Sequence, residues 1–315
     1  MSTYVVGRLV SAFITILGTS FLVYTAVRFL PGNAVDVIAS TSTVGGPNAR
    51  EKVRHELGLD ESIPVGYVHW LGDIATGNLG KSLINGQSIG AYIKEGLPVS
   101  MELGLMSLFF GIVFGVPIGV ISAVAQDTWL DVILRTIAIL LLAVPGFLIA
   151  TVVIVVSSRL WNWNPPITYI RFVDDPVHNL GQFLLPAVIL GFSSAAALMR
   201  FTRTAMLEVY RQDYVRTARA KGLTERVVVI RHAFRNAMIP ILSVVGIFLA
   251  FIVGGTVIFE QIFQLPGVGR FLLSEVNTRD YPGVQAISLI FATTVVLVNL
   301  ATDLSYTFVD PRVRY

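Results

Sequence analysis

The chain has no cysteine and only four histidines in 315 residues. The first absence excludes disulfides, thiolate metal sites and a cysteine nucleophile. With so few histidines, scattered along the chain, a metal site has little to be built from. Charge is also scarce: Asp, Glu, Lys and Arg make up 14% of the residues, where a soluble domain carries about 25%. The shortage is concentrated in whole segments that are almost free of charge. With 54% hydrophobic residues and a mean hydropathy of +0.72, these segments mark a polytopic, all-α membrane protein. The net charge is only +3, with the excess gathered in one loop, whereas a nucleic-acid binder places its basic residues on a soluble folded face. No candidate span has an acid or histidine at its centre, which an ion-coupled secondary transporter would need. No Ser/His/Asp set or pair of catalytic groups supports an intramembrane enzyme.

About twenty mainly apolar residues are needed to cross the hydrocarbon core, and six segments qualify: 9–30, 99–125, 132–157, 183–198, which is short and continues past Met199, 241–259 and 284–304. Arg28, Glu102, Arg135 and Asp303 fall near span ends, where side chains can reach the interface. The first run is longer than a signal-peptide core and lacks a small-residue cleavage site, so it reads as a retained span. Residues 32–97 carry five basic and seven acidic residues and read as an outer segment with helices over 47–57, stopped by Gly58, and over 64–75. Trp161 and Trp163 are placed as interfacial anchors in a second outer loop, 158–182. The resulting organisation is an N-terminal transmembrane helix at 1–31, an extracellular, partly helical loop at 32–97, a five-helix core at 98–305 and a tail at 306–315, with both termini cytoplasmic. Prolines 117, 145 and 186 lie inside spans, either as bends around a pathway or as ordinary bundle kinks.

Residues 200–239 hold nine of the 23 Lys and Arg residues but only three acids, Glu208, Asp213 and Glu225. The positive-inside rule puts this loop in the cytoplasm. Tyr210, Tyr214 and Ala218 recur at helical spacing beside Val215, with Arg211, Arg216 and Arg219 around them. A helix of this kind stopping at Gly222 offers a small apolar face with a basic rim. The glycine suits a left-handed helix end or the close approach of another backbone. Thr224 then caps a second helix running through Arg231. Attraction to anionic lipid explains the charge. It does not explain the small residues Thr217, Ala218, Ala220 and Gly222 at the turn, which favour docking of a protein partner. Two near-matches fail. Residues 75–82, ATGNLGKS, resemble a phosphate-binding loop, but Ala75 replaces its first glycine and no buried strand precedes it. His55-Glu56 opens like a zinc-protease helix, but the second histidine is missing.

The segment 213–222, DYVRTARAKG, with 236–240, NAMIP, resembles the coupling loop of ABC-transporter permeases, most closely the dipeptide/oligopeptide/nickel importer family of type I importers, first-permease type. The same family is matched in order by 29–32 (FLPG), 57–60 (LGLD), 77–82 (GNLGKS), 97–102 (LPVSME), 265–269 (LPGVG), 279–282 (RDYP), Asn299-Leu300 with Asp303, and 310–312 (DPR). The general coupling signature opens Glu-Ala-Ala. Here the corresponding residues are Arg216-Thr217-Ala218, and the stretch to Pro240 is longer, both features of the peptide subfamily. The resemblance implies a six-helix permease subunit in the membrane of a prokaryote, hydrolysing nothing itself and forming half of a translocation pathway for a peptide or similar small solute. It implies a second homologous permease, two cytoplasmic ATP-binding subunits carrying the ATP and Mg, and an extracellular solute-binding protein, with no cofactor on this chain. Tyr214, Thr217, Ala218, Ala220 and Gly222 would then fit a groove of the ATP-binding subunit, and Arg216, Arg219 and Lys221 would meet its acidic rim. In the fifth span Gly254 and Gly255 either pack a helix closely or thin the wall beside a substrate, with packing the favoured reading. Asn299 and Asp303 read as structural hydrogen-bonders rather than substrate ligands. The alternative is a secondary transporter or channel subunit not powered by ATP.

Overall fold

The computed structural model describes residues 2–28, 51, 60–166 and 168–309. The expected helix at 47–57 and the motifs at 29–32 and 310–312 lie outside these, as do His55 and most of 57–60. The described helices are α1 (Ser2–Arg28), α2 (Ile63–Ala75), α3 (Ile89–Val124), α4 (Trp129–Ala143), α5 (Gly146–Trp161), α6 (Pro176–Tyr210), α7 (Asp213–Ala220), α8 (Glu225–Ala250), α9 (Val257–Ile262), α10 (Val268–Thr278) and α11 (Tyr281–Val309). Among the described residues α1, α3, α6, α8 and α11 are long and apolar enough to cross a membrane, and α4 with α5 form one further, bent pair.

Two expected spans are corrected. The span at 132–157 is broken: α4 and α5 meet at 87°. Val144 is extended (φ −98°, ψ 118°) and Pro145 starts the next helix, because the proline ring disfavours helical backbone in the residue before it. Pro186 and Pro240, by contrast, sit inside continuous helices. The span at 241–259 ends early, at Ala250. Residues 251–253 turn, Gly254–Thr256 form one 3₁₀ turn, and α9 begins at Val257. Paired glycines are poor helix formers, and the Thr256 hydroxyl donates to the Val253 carbonyl (2.9 Å) across the break. The short fourth segment is in fact the 35-residue α6.

The contacts divide the chain into two units, residues 1–100 with 266–300 and residues 101–265 with 301–315. In the first, Tyr24 and Phe21 of α1 meet Tyr67 and Trp70 of α2 in an aromatic cluster, with ring centroids 5.2–6.2 Å apart. Ser100 in α3 accepts from the Val268 N–H (3.0 Å) at the start of α10, and Tyr92 stacks on Phe271 at 4.4 Å. The residues resembling a phosphate-binding loop follow a helix, α2, not a strand. They turn through Gly77 and Gly80, both at positive φ, and Ser82 donates to Asp280.

The second unit is built on a glycine seam. Gly111, Gly115 and Gly119 lie on one face of α3, pressed onto α6. A Cβ at Gly115 would stand 2.6 Å from the Ala195 carbonyl oxygen, and one at Gly119 would stand 2.6 Å from Thr202 Cβ. Gly191 of α6 is equally tight, 2.7 Å from the Ser107 carbonyl oxygen. In lipid, where apolar burial gives no drive, such close backbone approach is what holds helices together.

Candidate partner-docking site

Helix α6 ends at Tyr210, and Gln212 takes an extended conformation (φ −76°, ψ 144°) that turns the chain into α7. Asp213 in the first turn and Arg219 in the last suit the helix dipole, and the Thr217 hydroxyl donates to the Asp213 carbonyl (2.9 Å). The C-terminus closes in a Schellman motif: Gly222 N–H donates to the Arg219 carbonyl (2.9 Å) and Leu223 N–H to that of Ala218 (3.4 Å). Gly222 has φ +76°, and a Cβ there would meet nothing within 4 Å. Within this chain, backbone conformation and not crowding requires the glycine.

The two sides of α7 differ. Val215 (0% exposed) and Ala218 (5%) pack on Val228 of α8, flanked by Val209 and Tyr210. Tyr214, Arg216, Thr217, Ala220, Lys221 and Gly222 are exposed. The apolar stripe expected on one helix is therefore divided: Tyr210 belongs to α6, and Ala218 faces its own chain, where no partner groove could take it. Arg219 is also committed inward. Its guanidinium forks onto Glu225 (2.7 and 3.1 Å) and lies 5.4 Å above the Tyr210 ring, and the hydrogen bonds it donates to Glu225 raise its pKa. Burial raises the Tyr214 phenol pKa, opposed by a hydrogen bond with Asn236. Asn236 Nδ2 in turn donates to the His232 carbonyl (2.7 Å). The Arg219–Glu225 pair and the packing of Val215 and Ala218 on Val228 thus tie α7 to α8 at two points.

Thr224 has the extended backbone of an N-cap but makes no capping bond, and its helix does not stop at Arg231. It continues to Ala250 through a π-helical turn, Val228–Phe234. Glu225 as a brace is not legible in the sequence, because the Arg219–Glu225 pair spans the turn at Gly222, outside helical spacing. Gly254 and Gly255 are not packing glycines within this chain: a Cβ on either meets nothing within 4 Å. Gly255 instead borders a cavity of about 90 Å³ with Ser107, Ser194 and Phe251. On α11, Asn299 is exposed and Asp303 half-buried. Among the described residues no group of three His, Asp or Glu side chains could hold a metal ion.

Residues 115–315 match the family of binding-protein-dependent transport system inner membrane components, and residues 1–104 match the N-terminal part of such membrane components. The chain belongs to this permease family. It is 37% identical over 315 residues, covering both chains fully, to a putative peptide transport system permease protein of Brucella abortus. It is 35% identical over 319 residues, again covering both fully, to the glutathione transport system permease protein GsiC of Escherichia coli. Among solved structures, an inward-facing MetNI methionine ABC transporter aligns with a TM-score of 0.55 at 18% identity, covering 69% of this chain and 96% of that one. An amino acid ABC transporter aligns at 0.54 and 14% identity, covering 69% and 94%. These two share the fold. The permease is therefore a multi-pass inner-membrane subunit of a binding-protein-dependent ABC importer, a transport component that works with ATP-binding and solute-binding partners.

Proposed function

We propose that this permease forms half of a translocation pathway for peptides or a similar small solute, and that α7 is where an ATP-binding subunit docks. The observation that carries the reading is the division of α7, braced on its own chain by Val215, Ala218 and Arg219 and open to a partner at Tyr214, Arg216, Thr217, Ala220, Lys221 and Gly222. The cargo class rests on relatives named for peptide and glutathione transport.

In this reading a second, homologous permease completes the pathway. Two cytoplasmic ATP-binding subunits carry the ATP and Mg, this chain binds no cofactor of its own, and an extracellular binding protein delivers the cargo to the outer segment 32–97. The excess of basic residues in 200–239 keeps α7 on the cytoplasmic side, with both termini. Nucleotide binding by the partners biases the pathway between inward- and outward-facing states through their differential affinity for the two. Gly254 and Gly255, open and beside the break in the fifth span, border the pathway, since irregular backbone at membrane depth is tolerated where it lines a water-filled cavity. Asn299 and Asp303 hold α11 in the bundle.

The absence of cysteine makes the test direct. Single cysteines at positions 216, 220 and 221 should cross-link to the ATP-binding subunit in membranes, and one at 218 should not. Cross-linking confined to lipid-soluble reagents, or transport by the purified chain alone down an ion gradient, would refute the reading.

A further inference from the structure

The most fully bonded buried ion pair in the second unit lies away from α7. Asp131, at the start of α4, is 0% exposed, and Arg203, on α6, is 17% exposed. The guanidinium meets the carboxylate as a fork, Nε to Oδ1 and Nη2 to Oδ2, both at 2.8 Å. The remaining acceptor capacity of Asp131 is also used. Ser122 Oγ, near the end of α3, donates to Oδ1 at 2.5 Å, and the Asp127 N–H donates to Oδ2 at 3.2 Å from the turn between α3 and α4. Asp127 holds that turn in the left-handed region, at φ +62°. Arg135 Nε, itself buried, stands 3.4 Å from Oδ1. One carboxylate therefore joins three helices: α3 through Ser122, α4 through its own backbone and α6 through Arg203.

The placement gives the pair its meaning. Arg203 lies on α6, the helix against which the α3 glycine seam packs, one residue beyond Thr202, which fills the space beside Gly119. It also lies ten residues before Asp213, where α7 begins. Planar, two-point geometry fixes orientation as well as distance. An apolar contact in the same place would let α4 and α6 slide. Burying two charges is also a poor way to gain stability, since well-packed apolar residues commonly do as well, so retaining them argues for a role in geometry.

We infer that Asp131 and Arg203 are positioning residues that lock α3, α4 and α6 into one rigid lever, so that a displacement of α7 reaches the whole length of α3 instead of being absorbed by bending α6. The inference rests on α7 being the docking site, and its test separates the two. The full complex, with its ATP-binding subunits, is spin-labelled on cysteines introduced at Asp213 of α7, outside the docking face, and Ile121 of α3, both exposed. The distance between them is measured without nucleotide and after trapping with MgATP and orthovanadate. In the otherwise unaltered chain the distribution should stay the same on trapping. With Arg203→Gln or Asp131→Asn it should shift or at least double in width, while the ATP-binding subunits still co-purify and still hydrolyse ATP. Arg203→Lys, which keeps the charge but loses the fork, should give an intermediate width.

If a single variant does not assemble, the double variant Asp131→Asn with Arg203→Met removes both charges of the pair at nearly constant side-chain volume and leaves Arg135, 42% exposed, to solvent. It should assemble and show the same broadening. An unchanged distribution in assembled variants overturns the inference, as does a shift on trapping in the unaltered chain. Failure of the ATP-binding subunits to co-purify with the unaltered chain would instead remove the docking reading.

Discussion

Ser82 donates its hydroxyl hydrogen to the carboxylate of Asp280, a residue 198 positions away, and the Leu83 N–H donates to the other oxygen of the same carboxylate at 3.3 Å. Both side chains are buried, at 3% and 0% exposed. The contact joins two motifs by which the sequence resembles its family, 77–82 and 279–282. Ser82→Ala leaves a buried carboxylate short of a partner and should cost about 1–3 kcal/mol. A thermal or denaturant midpoint of the purified complex measures this, and Ser82→Thr, which keeps the hydroxyl, should recover part of the loss.

Glu275 lies next to that carboxylate and is 4% exposed. Burial first, and then the charge of Asp280, push its pKa from 4.5 up to about 8. A raised folded-state pKa contributes stability that is fully present below the unfolded value and is lost as pH rises through the folded one. The thermal midpoint of the complex should therefore fall as pH rises from about 4.5 to about 8. Glu275→Gln, neutral at every pH, should remove this part of the slope. An unchanged slope in that variant would show that Glu275 does not titrate there.

Gly119→Leu should be among the most damaging substitutions in the membrane core. Even a Cβ at that position would sit 2.6 Å from Thr202 Cβ and 2.7 Å from the Met199 carbonyl oxygen. Overpacking costs about 1–3 kcal/mol in soluble cores, and a backbone neighbour that cannot yield puts this site at the upper end. Thr202→Ala in the same chain should recover only part, because it removes Cγ2 at 3.0 Å but keeps Cβ, and the Met199 carbonyl remains. The yield of folded complex in mild detergent reports both.

At Gly222 the cost is one of conformation. A Cβ at this position meets nothing within 4 Å in this chain, so within the chain alanine, leucine and asparagine differ chiefly through their tolerance of φ +76°. Alanine and leucine should each cost about 1 kcal/mol of helix-end stability, and asparagine less. ATP-driven uptake should separate alanine from leucine, because only a docked partner distinguishes their sizes. Equal uptake by the two variants would show that nothing seats closely on that turn.

Much of the fold is legible in the hydropathy, because a segment that must satisfy its own backbone in lipid has to be helical. The two misjudged spans were marked by local chemistry that the averaged hydropathy hides: the residue before Pro145, and the pair Gly254-Gly255. The glycine seam was written at positions 111, 115 and 119, at regular helical spacing, yet glycine carries no charge or bulk to draw attention to it. The site was legible as a helix and as a stop. Which way the helix faced was not, because Ala218 is small enough either to pack inside or to fit a partner, and only Val228, arriving from the next helix, decides between them. The Asp131–Arg203 pair spans 72 residues, a separation at which spacing gives no signal.

The two ties from α7 to α8 have a mechanical consequence. A helix that only rested against its neighbour could be pushed but not pulled. Arg219 is held to Glu225 by a two-point ion pair that resists separation as well as compression, beside the packing of Val215 and Ala218 on Val228. A partner seated on α7 can therefore drive the bundle on both strokes of a cycle, closing and reopening, through one short helix that is already folded before the partner arrives.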